Sequence, residues 1–103
     1  MMMPKSWHYF RRPMPLFSDL YTLGTAASLV VPPATSPQHV TLHNHQKSSN
    51  TFIHIGGSAG ITTTNSIHID NSETYQITIP PGESLYALGT ADGYKLGVLR
   101  SYY

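Results

Sequence analysis

The feature that most restricts this chain is the rhythm of its β-branched runs. From Tyr21 onward, short stretches of alternating apolar and polar residues are cut by Gly, Pro, Asn or Asp at intervals of roughly eight to twelve positions. Alternation with a period of two puts one face of each stretch in a core, and no stretch carries the longer period of an amphipathic helix. Leu29-Val30-Val31 stops at Pro32-Pro33, and Val40 and Leu42 share a face in the run up to His45. Thr51 to Ile55 alternates until Gly56-Gly57, and Ile61 to Thr64, Ile67 to Ile69 and Thr74 to Ile79 follow, the last ending at Pro80-Pro81-Gly82. Ser84 to Leu88 and Tyr94 to Leu99 flank Ala91-Asp92-Gly93, whose Asp-Gly pair is a hairpin signal. The run holding Val40 and the run holding Ile53 are expected to form a second hairpin around residues 46–50. The pattern predicts about seven or eight strands in a single antiparallel β-sandwich or jelly-roll-like domain, all β, over residues 20–103. Its expected core is Val40, Leu42, Ile53, Ile55, Ile67, Ile69, Ile77, Ile79, Leu85, Leu96 and Val98.

At 103 residues the chain supports one core, which excludes a multidomain enzyme. Six Lys and Arg against five Asp and Glu leave a net charge of +1, too little for a nucleic-acid partner held by phosphate neutralisation. Hydroxyls supply the polarity instead, with eleven Ser and eleven Thr. The absence of cysteine removes disulfides, thiol catalysis and Cys-based metal sites. No apolar run reaches the roughly 18 residues that cross a bilayer, and the first residues lack the apolar region of a signal peptide, so a soluble chain without a membrane partner is expected.

Residues 1–19 differ from the rest. Pro4, Pro13 and Pro15 disfavour a helix, and Trp7, Tyr9, Phe10 and Phe17 are too many large rings for a merely solvated tail. Lys5, Arg11 and Arg12 meet no acid before Pro13, which gives the first twelve residues +3 and the remainder −2. The segment reads as an extended N-terminal arm. Its Trp7, Tyr9, Phe10, Arg11, Arg12 and Phe17 are the candidate partner-binding residues, the rings filling apolar grooves of a neighbouring subunit and the guanidinium groups meeting carboxylates.

Histidine is the main chemical signal, with six in the chain. Strand parity opposes His54 to Ile53 and Ile55, and His68 to Ile67 and Ile69, and it sets His43 and His45 with Thr41, so all four are expected to point away from the core. A His-x-His pair needs a third ligand that no nearby Asp, Glu or Cys pattern supplies, and no metal is assigned. The scattered acids Asp19, Asp70, Glu73, Glu83 and Asp92 give no paired-carboxylate spacing, and there is no nucleophile elbow or phosphate-binding glycine loop, so no catalytic or cofactor-binding residue is assigned. Low charge and outward Tyr, Phe and His residues suit self-association, with Phe52, His54 and Tyr75 as candidates.

The ordered series Val40-Thr41-Leu42-His43-Asn44, Phe52-Ile53-His54-Ile55-Gly56-Gly57, Ile61-Thr62-Thr63-Thr64-Asn65, Pro81-Gly82-Glu83-Ser84-Leu85-Tyr86-Ala87-Leu88 and Leu96-Gly97-Val98-Leu99 resembles small β-sandwich virion proteins of tailed bacteriophages, those described as capsid decoration (cement) or head–tail structural proteins. The resemblance spans about residues 20–100 and departs from the family at Ile-His-Ile and in the aromatic, basic arm. It implies a non-enzymatic protein without cofactors, on the outer surface of the capsid, bound to the major capsid protein or another virion structural protein and often trimeric. A neck, tail or fibre module stays open. So does a carbohydrate- or receptor-binding sandwich that uses Trp7, Tyr75, Tyr86, Tyr94, Tyr102 or Tyr103 as stacking platforms.

Overall fold

A computed structural model describes residues 16–102 of the chain. They form eight strands, β1 (Leu16–Leu23), β2 (Ser28–Val31), β3 (Gln38–Asn44), β4 (Ile53–Gly56), β5 (Ile67–Ile69), β6 (Thr74–Ile79), β7 (Leu85–Gly89) and β8 (Tyr94–Tyr102), with no helix among the described residues. Two four-stranded sheets result, sheet A in the order β1-β8-β3-β6 and sheet B in the order β2-β7-β4-β5, with every pairing antiparallel. This is a jelly roll, the all-β sandwich that the alternation predicts. β1 begins at Leu16, so residues 16–19 belong to an edge strand of sheet A rather than preceding the domain.

The connections differ from the expected hairpins. Among the described residues β4 and β5 are the only consecutive strands that share a sheet; every other connection crosses the sandwich. The run holding Val40 is β3 of sheet A and the run holding Ile53 is β4 of sheet B, so residues 46–50 bridge two layers instead of closing a hairpin. The Asp92-Gly93 turn is present, with Gly93 at φ +86° and its N–H on Leu23 O at 2.8 Å, but it carries the chain from sheet B to sheet A. A turn signal fixes a reversal of direction and does not choose the partner strand.

The two inner faces supply the core, in which Leu23, Val30, Val31, Leu42, Ile53, Ile69, Ala87 and Leu96 are almost completely buried. Ile67 is the exception among the expected core residues at 55% exposed, because β5 is three residues long and nothing lies over its first residue. Ile77 is half-buried against the cluster. Two inward amides bracket β3. Asn44 Nδ2 donates to Thr51 O at 2.8 Å and to Ile69 O at 3.0 Å, while its Oδ1 accepts from Gln46 N at 2.9 Å and Gln46 Nε2 at 3.2 Å. At the other end Gln38 Nε2 donates to Pro32 O at 2.9 Å and Gln38 Oε1 accepts from Arg100 at 3.3 Å. Each amide therefore ties sheet A to a segment of sheet B or its connections.

Residues 57–66 form a flap over the outer face of sheet B. The expected strand from Ile61 to Thr64 is absent because this segment bonds to itself, with Thr62 N on Asn65 Oδ1 and Asn65 Nδ2 on Gly60 O. Ile61 seats on Gly56, where an added Cβ would lie 2.3 Å from Ile61 Cγ2, so only glycine admits the flap. Beneath it lie Leu88 and His54, and His54 is 6% exposed. His54 faces away from Ile53 and Ile55, as parity requires, but the flap covers it, so pointing away from the core does not expose it here. Burial, and then the neighbouring His68, hold the His54 imidazole below the ordinary value of 6.5.

Two outcomes follow from these contacts. Asn44→Ala leaves two buried carbonyls and an amide N–H without partners and should cost about 3 kcal/mol in urea unfolding, and Asn44→Asp should cost no less because a carboxylate would then face those carbonyls. His54 takes up its proton more readily unfolded than folded, so its contribution to stability is complete above about pH 6.5 and declines as pH falls. Urea midpoints measured between about pH 7.5 and 5 should therefore fall less steeply for His54→Gln than for the parent chain; equal slopes would mean that His54 is not held neutral.

Candidate functional site

The two outer faces differ. On sheet B the flap covers Leu88 and His54 and leaves Leu29 and His68 exposed. On sheet A, β1 presents Leu16, Ser18, Leu20 and Thr22 outward, β8 presents Lys95, Gly97, Leu99 and Ser101, and β3 presents His39, Thr41 and His43, with His45 following just past its end. Leu16 is 66%, Leu20 63% and Leu99 41% exposed. Lys95 is the only charged side chain in these outward rows, and it donates to Thr22 Oγ1 at 2.6 Å. Gly97 makes a dent of about 450 Å³ lined by Ser18, Leu20, Thr41, His43, His45 and Leu99, with Asp19 at its rim. An added Cβ at Gly97 would fall 2.8 Å from His45 Nε2, so the glycine lets the imidazole lie against the strand. His43 meets His45 edge to face at 4.6 Å and its Nδ1 bonds Thr74 Oγ1 at 3.0 Å. A hydroxyl-rich face of low charge with leucines exposed along it has the composition of a contact surface.

A second uncovered apolar surface opens at the edge where β5 and β6 come together. Here Ile55, Ile67, Ile77, Ile79 and Leu85 line a cleft of about 300 Å³, with Gly56, Gly57, Thr78, Pro80, Glu83 and Ser84 around them. Two of the sequence segments quoted for the resemblance meet at this cleft, through Ile55-Gly56-Gly57 and Glu83-Ser84-Leu85.

The polar cluster under the flap is structural. Ser66 Oγ donates to Thr62 O at 2.5 Å, so His54 Nδ1, 3.0 Å from the same oxygen, is the donor in that pair. A serine whose proton is committed to a carbonyl, and a histidine that donates to it, are the reverse of an activated nucleophile and its base. His68 lies 5.8 Å from His54 ring to ring and 3.1 Å from Asp70 Oδ1. Among the described residues no group of three or more His, Cys, Asp or Glu is placed to hold a metal ion.

The residues singled out from the sequence scatter. Trp7, Tyr9, Phe10, Arg11 and Arg12 lie outside the described residues. Phe17 sits in β1, 5.6 Å edge to face from Tyr102 and beneath the Arg100 guanidinium at 4.7 Å, so it is already occupied within the chain. Phe52 is half-buried and packs on His68 at 4.9 Å, which joins it to His54 through that ring. Tyr75 is neither near them nor outward, since it pairs with Leu42 in sheet A and packs against the core. Tyr94 also packs against the core and, like Tyr75, is half-buried. Leu16, Leu20 and Leu99 were missed. Leu16-Phe17-Ser18-Asp19-Leu20-Tyr21 carries apolar residues on both faces and follows prolines, which hides a strand; Leu99 on the wrong parity beside Val98 was the available signal.

No protein-family model matches the sequence, and no curated protein matches it. Solved structures do share its fold. A chain of the *Bacillus* endospore appendages, described as a novel family of disulfide-linked pili, superposes with a TM-score of 0.59 at 12% identity, covering 87% of each chain. A chain of the acid-stable capsid of *Helicobacter pylori* bacteriophage KHP30 superposes with a TM-score of 0.55 at 16% identity, covering 85% of this chain and 84% of that one. At such identities the likeness is one of fold: this chain is a jelly roll of the kind found in both assemblies.

Proposed function

We propose that this chain is a non-enzymatic structural subunit of a phage virion, a decoration or cement protein that attaches to the major capsid lattice through the outer face of sheet A and associates with copies of itself, as a trimer. The observation that carries the reading is the open face of sheet A, where Leu16, Leu20 and Leu99 are exposed in outward rows whose one charge is Lys95. Four strands about 4.8 Å apart and some eight residues long present roughly 500 Å² per copy, enough for a modest interface when matched by a partner of equal area. The fold shared with a capsid chain and a pilus chain supports a role in assembly. The polar cluster under the flap, with its serine proton already committed, gives no support to catalysis.

Gold-labelled antibody against the purified protein should decorate the capsid of phage particles grown from the host that encodes it; labelled tails or unlabelled particles would remove the decoration role. The double variant Leu20→Glu, Leu99→Glu changes exposed side chains only, so it should unfold at the parent temperature while binding to capsids, measured by co-sedimentation, weakens at least about tenfold, since burying two apolar side chains is worth more than 1.4 kcal/mol. Undiminished binding would move the attachment elsewhere on the molecule.

A further inference from the structure

The β5–β6 cleft is a gap between the two sheets at one edge of the sandwich. Ile69 is 1% exposed and Ile67, two residues earlier on the same face, is 55% exposed. The difference arises because β5 ends the sheet and contributes three residues only. The floor of the cleft is aliphatic, and the one charge at its rim is Glu83, an exposed carboxylate with no ion pair among the described residues. An apolar floor beside a lone carboxylate fits a ligand that carries a large ring next to a cation.

The sequence holds such a ligand. Trp7-His8-Tyr9-Phe10-Arg11-Arg12 sets three large aromatic residues directly before two guanidinium groups, and it belongs to the fifteen residues ahead of β1. We propose that this segment of one copy docks in the β5–β6 cleft of a second copy, an aromatic ring filling the space beside Ile67 and Ile77 while Arg11 or Arg12 pairs with Glu83. The proposal rests on the reading of the chain as an assembly subunit and names one of its partners as another copy of itself.

Position favours a second copy over the chain's own cleft. β1 and β6 are opposite edges of sheet A, and Leu16 and Thr78 end the same row, Leu16–Ser101–His39–Thr78, three strand spacings or about 14 Å apart. Trp7, nine residues before Leu16, can reach at most roughly 30 Å from it, and Arg12, four residues before, roughly 14 Å, so length permits either path. Proline disfavours helical backbone at the residue before it, so a sequence with Pro13 and Pro15 disfavours the immediate reversal that the chain's own cleft demands. With donor segment and acceptor cleft on opposite edges, the contact is head to tail, and head-to-tail contacts close into rings such as a trimer when the rotation allows.

Trp7 is the only tryptophan in the chain, so its fluorescence reports on this segment alone. With the full-length purified protein and no particles present, the emission should shift to the blue as concentration rises, in step with sedimentation from monomer to oligomer. Ile67→Lys should raise the concentration at the midpoint about tenfold or more without changing the unfolding temperature, because Ile67 is already exposed. Glu83→Arg should do the same, and adding Arg11→Glu and Arg12→Glu to it should restore part of the loss. Emission that does not change with concentration, whether solvent-exposed or already blue because the segment lies on its own domain, overturns the proposal, as does a midpoint indifferent to Ile67→Lys. Protein that fails here yet still labels and co-sediments with capsids refutes this contact and leaves the assembly role standing.

Discussion

The structure depends on the side chain of Asn44. Hydrophobic burial draws the two sheets together but has no direction and does not set how far one layer slides on the other. The Asn44 amide does, because its four hydrogen bonds reach Thr51, Ile69 and Gln46 from one buried position at the end of β3. Gln38 plays the corresponding part at the opposite end, with Pro32 and Arg100. Between them Val40 and Leu42 pack without polar demand. A central strand with a clasp at each end gives a fold of crossing connections a fixed register, which in a sheet of hairpins the turns would supply.

That arrangement explains what could be read from the sequence. Alternation at Val40, Leu42, Ile53, Ile55, Leu96 and Val98 reports the face of each residue, a local property, and those residues are buried. Pairing is a property of the whole chain, so residues 46–50 and Ala91-Asp92-Gly93 signalled reversals while concealing that the next strand belongs to the other layer. His54 shows a third kind of information. Its parity was legible, but its burial depends on Ile61 finding room at Gly56, a meeting of side chain and missing side chain that period-two patterning does not encode. The open face of sheet A was harder still to read, since Leu16 and Leu20 lie in a segment whose prolines and mixed parity suggest no strand.

The two outer faces divide the labour of the domain. The flap gives sheet B a second, small interior, with Leu88 and a histidine, its pKa lowered by burial, under cover. Sheet A keeps leucines and imidazoles in solvent and carries one charge in its outward rows. If the subunit attaches to a lattice through sheet A as proposed, the flap and its Ser-Thr-Asn surface would be turned outward. The β5–β6 cleft lies at the rim between them, where neighbours on such a lattice would meet.

The pairing of β1 with β8 also has a mechanical consequence. Leu16 lies opposite Ser101, so the start of the first strand and the end of the last emerge side by side. Tension applied between those two points would open the ladder one hydrogen bond at a time, as a zipper opens, instead of loading all of its bonds together in shear. A domain joined in series through its ends would therefore yield at low force. A domain that carries load across the face of sheet A would spread it over four strands and leave that seam unstressed.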